Sequence, residues 1–190
     1  QRLSVLTLMS QQPLSDQPVA LYTPPRVICA DGARHRLAPL CKSLGWHEAL
    51  VVTDAWFQQN SPALAEVLAA LRAQGIAVRV FDGGEPDPST TLADRASAWV
   101  REQGARPDHL IAWGGGSNID LAKALSVALP SGRPVAELMD RANWPAAPLP
   151  RTVCRPGGGA CRNRGGPSVV TLNAPGPRPG VPPPLIRRST

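Results

Sequence analysis

Several residue types that mark particular kinds of site are scarce in this sequence of 190 residues. Its four cysteines include no C-x-x-C pair and its three histidines are scattered, so no zinc-ligand set is visible. The apolar runs are far shorter than the roughly 20 residues of a membrane helix, and the start of the chain has no recognisable secretory signal. These absences favour a soluble cytoplasmic protein with reduced thiols and no membrane partner.

Acidic residues are missing from the last quarter of the chain. Residues 1–140 contain 12 Lys and Arg against 14 Asp and Glu, whereas residues 141–190 contain 8 Arg and no acid. The net charge of +6 therefore combines −2 with +8, and it does not indicate a basic surface on a folded domain. Because 11 of the 22 prolines also lie from Pro145 onward, we expect residues 151–190 to be a mostly disordered, low-complexity Arg/Gly/Pro-rich tail.

Between these termini, short β-rich runs alternate with amphipathic segments of helix length. Strands are predicted at 26–29, 49–53, 76–81 and 109–113, with helices at 33–44, from Pro62 to Gly75, from Thr91 to Gly104 and from Asn118 to about Leu129. Ser61 is predicted to cap the second of these helices, and Thr91 to open the third in a capping box with Asp94. This alternation predicts an α/β fold over residues 22–150: a doubly wound, mostly parallel, Rossmann-like sheet with helices on both faces. Residues 1–21 are expected to form an irregular leader.

The strongest candidate site is the turn Gly114-Gly115-Gly116-Ser117, which follows the strand at 109–113. Glycines let a backbone approach an anion closely, and a helix start offers unpaired N–H groups and a positive dipole end. A phosphate is therefore the expected ligand, although glycine turns without any ligand also occur. Ser117 and Asp120 have the spacing of a capping box, and Lys123 is predicted to pair with Asp120.

The segment Gly114–Ala124 resembles the G-G-G-S-x-x-D-x-A-K-A signature of iron-dependent alcohol dehydrogenases. Other family segments are matched in the same order by Val51–Asp54, Gly75-Ile76 and the loop Phe81–Ser89. Within that loop, Asp87 stands where the family usually has Asn. The resemblance implies a dinucleotide-binding domain whose glycine turn holds the cofactor pyrophosphate. The cofactor-binding residues implied or suggested are Asp54, Gly114, Gly115, Gly116, Ser117 and Asp120.

Asp54 carries the expectation about which dinucleotide is bound. By the resemblance it lies near the adenosine ribose, where a carboxylate accepts hydrogen bonds from the 2′-hydroxyl and repels a 2′-phosphate. NAD is therefore favoured, with NADP as the alternative. The residues alone leave open a simpler role, in which Asp54 is an ordinary turn residue at the end of a strand.

The resemblance also implies a reaction, the interconversion of alcohols and aldehydes by metal-assisted hydride transfer. The family holds Fe²⁺ with one Asp and three His in a second, helical domain. None of the three histidines, His35, His47 and His109, matches such a position, and no acid follows Asp140. We therefore expect a truncated chain that binds NAD, has no catalytic or metal-binding residues of its own and is inactive alone.

Three further interpretations remain beside this one. A change of reading frame near residue 150 would explain the tail. Another frame of the source DNA should then encode a P-T-T-x-G-T-like segment, because the resembling family has one at this place. A fragment of a glycerol-dehydrogenase-like or dehydroquinate-synthase-like enzyme is the related alternative. A nucleic-acid-binding protein acting through the tail arginines is a more distant one, because no Phe, Tyr or Trp follows Trp144 for base stacking. The sequence allows a homo-oligomer.

Overall fold

The computed structural model describes residues 26–145, 147–155 and 168–173. The strands are β1 Arg26–Ala30, β2 Glu48–Val52, β3 Ala77–Phe81, β4 His109–Trp113, β5 Arg151–Arg155 and β6 Ser168–Asn173. The α-helices are α1 Leu37–Ser43, α2 Ala55–Asn60, α3 Pro62–Ala73, α4 Thr90–Glu102 and α5 Gly116–Ser131, and short 3₁₀ helices span Ala33–Arg36, Val135–Met139 and Arg141–Asn143. Within these residues, no helix has both the length and the apolar character needed to cross a membrane.

The strands form one six-stranded sheet in the order β1-β6-β5-β4-β2-β3. Strands β5, β4, β2 and β3 run parallel, and β6 is antiparallel to both of its neighbours, β5 and β1. All five residues of β4 are buried, as expected for a parallel strand that is covered on both faces. The predicted α/β fold with a mostly parallel sheet is confirmed.

Helices cover both faces of this sheet. Successive side chains of a strand point to opposite faces, so Leu110 and Ala112 of β4 pack with residues of α4 and α5, in a cluster that includes Leu92, Ala96, Leu121 and Leu125. Ile111 and Trp113 point the other way and pack with residues of α1 and α3, in a second cluster that includes Leu37, Cys41, Leu64 and Leu71. Two apolar clusters therefore hold the sheet between two layers of helices.

Side-chain caps fix the starts of α2, α3 and α4. The predicted cap of α3 is confirmed, because Ser61 Oγ accepts a hydrogen bond of 3.2 Å from the N–H of Leu64. The capping box predicted at Thr91 is wrong: Ser89 Oγ caps α4 by accepting from the N–H of Leu92 at 3.1 Å. The expected partner Asp94 instead accepts a hydrogen bond from the N–H of Val135 at 2.8 Å, which fastens α4 to the following 3₁₀ helix.

The expectation of a disordered tail from residue 151 is wrong for two segments. Strand β5 pairs in parallel with β4 and buries Thr152 and Cys154, and β6 pairs with β5. Both segments carry β-branched or apolar residues that extend a sheet once a neighbouring edge is available, so tertiary pairing outweighs local composition. The remaining tail residues and the leader at 1–21 lie outside the described residues.

One non-glycine residue among those described has a positive φ. Asp87, in the loop after β3, has φ 48°, a left-handed conformation in which Asn and Asp are tolerated better than other residues with a Cβ. Pro86 and Pro88 flank it and restrict how the loop can relax. This backbone preference accounts for a short polar side chain at the position where the resemblance expects Asn.

We predict that Asp87→Ala lowers the free energy of unfolding by about 1 kcal/mol, because Ala has no polar group to offset the left-handed conformation. The control Asp87→Asn should leave the free energy unchanged within a few tenths of a kcal/mol. Urea unfolding followed by circular dichroism measures both changes. Equal stability of the Ala and Asn variants would contradict the assignment of strain to this residue.

A buried histidine lies at the opposite end of the sheet from the glycine turn. His109, the first residue of β4, has its Nδ1 atom 2.7 Å from Asp108 Oδ1 and its ring stacked on Trp46 with centroids 4.4 Å apart. Its Nε2 atom is buried and has no partner among the described residues. Burial lowers the pKa of His109 below its ordinary value of 6.5, despite the opposing effect of Asp108.

This depressed pKa predicts loss of stability in acid. Below the ordinary pKa of His the unfolded chain binds the proton more readily than the folded chain, so this contribution to stability is complete above that pKa and declines as pH falls through the folded pKa. Urea unfolding at pH 5, 6, 7 and 8 should show the decline, with at most about 1.4 kcal/mol per pH unit from one group. His109→Leu should show a flatter dependence, and an identical slope in the two proteins would exclude His109 as the cause.

Candidate functional site

Three loops meet at the carboxyl ends of the parallel strands β2, β3 and β4. Thr53, after β2, donates its N–H to the carbonyl of Phe81 at 2.9 Å, and its own carbonyl accepts from Gly84 N–H at 2.9 Å. Asp54 and Gly83 also form an isolated antiparallel bridge. In doubly wound sheets, ligands bind at this edge. The structure therefore brings Asp54 and the loop after β3 to the same edge as the glycine turn.

The glycine turn combines a tight backbone with an open outer surface. Gly114 has φ 125°, and a Cβ there would lie 3.0 Å from the Phe57 ring, so only glycine fits. At Gly115 and Gly116, by contrast, a Cβ would meet no atom within 4 Å. The turn is thus packed where it faces the protein and unobstructed where it faces solvent.

Unpaired N–H groups lie at this open surface. Helix α5 begins at Gly116, and Ile119 is the first of its residues whose N–H reaches a helix-type acceptor, the carbonyl of Gly115 at 3.2 Å. The N–H groups of the exposed Gly116 and the half-buried Ser117 precede this bond and are among those that a helix start leaves without an intrahelical acceptor. Together with the positive end of the helix dipole, they form an environment suited to an anion.

The predicted capping box at Ser117 is wrong, although the turn itself is confirmed. Gly115 is the N-cap residue and makes no side-chain hydrogen bond, so Ser117 lies within the first helical turn. The glycines allow the helix to start two residues earlier than a serine cap would. Asp120 lies exposed on the next turn and accepts a hydrogen bond from Lys123 Nζ at 2.7 Å, which confirms the predicted ion pair.

Asp54 acts in the structure as a capping residue of a short helix. Its Oδ1 atom accepts a hydrogen bond of 3.1 Å from the N–H of Phe57, which caps α2. Its Oδ2 atom accepts a hydrogen bond of 2.8 Å from Asn118 Nδ2. Asp54 therefore has a structural role at the end of β2, as the cap of α2 rather than as an ordinary turn residue. Each carboxylate oxygen can accept a further hydrogen bond, so a ligand contact is compatible with it.

Asn118 is a site residue that the sequence analysis did not identify. It is only 3% exposed, and its Nδ2 group donates to the carbonyl of Trp113 at 3.0 Å as well as to Asp54. A Cβ on Gly84 would collide with Asn118 Oδ1 and would lie 2.6 Å from the Thr53 carbonyl oxygen. The only signal in the sequence is a polar residue after three glycines, which does not reveal a partner 64 positions away.

Among the described residues no side-chain cluster could hold a metal ion, and the thiols of Cys41 and Cys154 are buried. The described residues contain no group of three or more His, Cys, Asp or Glu side chains placed to share a metal ion. Cys41 and Cys154 are unpaired with other cysteines and buried, and burial raises the pKa of each thiol to about 12. Both thiols are therefore protonated at neutral pH and act as apolar core groups.

Comparisons with known proteins agree with this geometry. The sequence matches the family of iron-containing alcohol dehydrogenases over residues 24–156. It is 31% identical over 111 residues to the NAD-dependent methanol dehydrogenase of Bacillus methanolicus, covering 58% of this chain and 28% of that protein. It is 36% identical over 84 residues to the NADPH-dependent butanol dehydrogenase of Clostridium saccharobutylicum, covering 44% of this chain and 21% of that protein.

A solved structure of this family is similar in fold to the chain. The crystal structure of an iron-containing alcohol dehydrogenase from Thermotoga maritima superposes with a TM-score of 0.65 and 27% sequence identity, covering 74% of this chain and 38% of that chain. The chain spans about a quarter of the length of the curated relatives it matches. The match ends at residue 156, so β5 belongs to the similar region although the sequence analysis assigned it to the tail.

Proposed function

Because the chain belongs to the iron-containing alcohol dehydrogenase family, we propose that its described residues form a binding site for a nicotinamide dinucleotide. The observation that carries this proposal is the open start of α5, where Gly115 and Gly116 leave room for an anion beside unpaired N–H groups. In this proposal Gly114, Gly115, Gly116 and Ser117 surround the pyrophosphate. Asp120 completes the set, and its pairing with Lys123 offsets a charge that would otherwise repel the phosphates.

Asp54 is proposed to favour NAD over NADP. The two relatives described above use different dinucleotides by name, so family membership does not decide between them. A carboxylate at the end of β2, held at the same edge as the glycine turn, supports NAD because it would accept a hydrogen bond from a ribose 2′-hydroxyl and repel a 2′-phosphate. NADP remains the alternative that the titration below distinguishes.

Alcohols and aldehydes are proposed as substrates of the whole protein. The names of the two relatives specify alcohols, and hydride transfer to a bound nicotinamide would convert an alcohol to an aldehyde, with the reverse transfer acting on the aldehyde. The described residues do not fit an iron ion, because none of their His, Cys, Asp and Glu side chains cluster for it. The described residues are therefore proposed to bind and orient the dinucleotide, and the 190-residue chain alone is expected to show no turnover.

One of the arginines on which the alternative of nucleic-acid binding depends is bonded inside the domain. Arg151 lies in β5 and donates a hydrogen bond of 2.6 Å to Ser126 Oγ of α5. Burial lowers the pKa of its guanidinium. A partly buried arginine that is bonded inside the domain is a poor contact for a phosphate backbone, so we favour the dinucleotide.

Calorimetric titration of the chain should show saturable binding of NAD, with NADP binding at least about tenfold more weakly through repulsion by Asp54. Gly116→Asp is the decisive variant. It places a negative charge at the open helix start, where it favours the helix but repels a pyrophosphate. We expect this variant to keep its thermal midpoint and to lose NAD binding.

Gly116→Asn is the matched control, because it adds a side chain of the same size without the charge. It should bind NAD at least about tenfold more tightly than the Asp variant, a difference of about 1.4 kcal/mol. A folded wild-type chain that binds neither dinucleotide would refute the proposed function. Equal binding of NAD by the Asp and Asn variants would instead show that the pyrophosphate does not bind at this turn.

A further inference from the structure

One buried side chain connects the three loops of the proposed site. Asn118, in the first turn of α5, reaches Asp54 after β2 and the carbonyl of Trp113 at the end of β4. It also contacts the loop after β3 where that loop passes at Gly84. It is almost completely shielded from solvent, so it is not itself a ligand contact. Its position instead links the group proposed to select the dinucleotide with the turn proposed to hold the phosphates.

The hydrogen bonds of Asn118 determine the orientation of its amide. Both N–H bonds of Nδ2 are used, one by Asp54 Oδ2 at 2.8 Å and one by the Trp113 carbonyl at 3.0 Å. A flipped amide would place Oδ1 against a carboxylate and a carbonyl, which are both acceptors. Only one orientation is therefore compatible with the surroundings, and it presents a donor to Asp54.

The loop after β3 supports the amide from the other side. The N–H of Gly84 donates to the Thr53 carbonyl, and a Cβ at residue 84 would overlap Asn118 Oδ1. This close approach requires glycine and keeps the amide from moving toward the loop. Asn118 is thus restrained by β4 and by the loop while it holds the Asp54 carboxylate.

The carboxylate is consequently held at two points. The N–H of Phe57 binds Oδ1 and the amide of Asn118 binds Oδ2, so rotation of the carboxylate about its last side-chain bond would break at least one hydrogen bond. Without Asn118, only the hydrogen bond to the Phe57 N–H would remain, and the carboxylate could turn away from the glycine turn. A group that discriminates between a hydroxyl and a phosphate must be held in place to do so.

We propose that Asn118 is a positioning residue for dinucleotide selection, and that it acts by fixing the Asp54 carboxylate at the edge that carries the glycine turn. This inference rests on the proposed function. It adds that the preference for NAD depends on a buried amide of α5 as well as on the carboxylate of Asp54. The amide does so without touching the cofactor.

The test measures dissociation constants of NAD and NADP for the 190-residue wild-type chain, Asn118→Ala, Asp54→Ala and the double variant. We expect Asn118→Ala to reduce the preference for NAD by roughly threefold, because one hydrogen bond to the carboxylate is lost while that from the Phe57 N–H remains. Asp54→Ala should abolish the preference. In the Asp54→Ala background, Asn118→Ala should cause no further change in the ratio, because the group that it positions is already absent.

Two results would overturn the inference. The first is a loss of affinity in Asn118→Ala that is equal for NAD and NADP, because a merely structural role changes both alike. The second is the same loss of preference from Asn118→Ala with and without Asp54. If Asn118→Ala does not fold, Asn118→Ser takes its place. Its shorter hydroxyl side chain can satisfy only one of the two acceptors, and it should lie between wild type and Asp54→Ala in preference.

The failure of the proposed function is distinguishable from these results. A folded wild-type chain that binds neither dinucleotide refutes the proposed function and removes the basis for this inference with it. A wild-type chain that binds NAD while Asn118→Ala retains the full preference refutes the inference alone. Circular dichroism and the thermal midpoint, recorded for every variant, establish that each comparison is made between folded proteins.

Discussion

Burial of β4 on both faces is the constraint on which the rest of this structure depends. All five of its residues are inaccessible, so helices must cover the sheet above and below. At the carboxyl end of such a strand, the chain must leave through a turn that is close to both layers of helices. Gly114, with its positive φ and the ring of Phe57 beside it, shows how little room that turn has. Gly115 and Gly116, which follow in the same turn, form its solvent-exposed side.

The parts of the fold that follow from local chemistry could be predicted from the sequence. Ser61 and Pro62 start a helix, Gly75 ends it, and the apolar residues between them define its buried face. The strand, turn and helix around Gly114–Gly116 are likewise encoded locally, by a buried apolar run followed by residues that permit a sharp turn. The short ion pair between Asp120 and Lys123 needs only helical spacing.

The features that were missed depend on partners far along the chain. The role of Asn118 depends on Asp54, which lies 64 positions earlier and is brought close by the fold. The strand at Arg151–Arg155 likewise depends on pairing with β4, because its own composition gives little indication of a strand. The misplaced caps have a different origin. Ser and Thr occur in runs or beside glycines at those helix starts, and the choice among neighbouring caps is made by where the preceding loop lets the helix begin.

The order of strands has a consequence for how the sheet is completed during synthesis. Among the described strands, β1 has β6 as its neighbour, yet the register joins Arg26 to Leu172, which lies 146 positions further along the chain. Of the described strands, β1 precedes the others along the chain, yet it can pair only after β6 has been synthesised, so the parallel strands can assemble while β1 is still unpaired. Closing so long a loop delays this step and leaves the backbone of β1 available for association with other chains until β6 pairs with it.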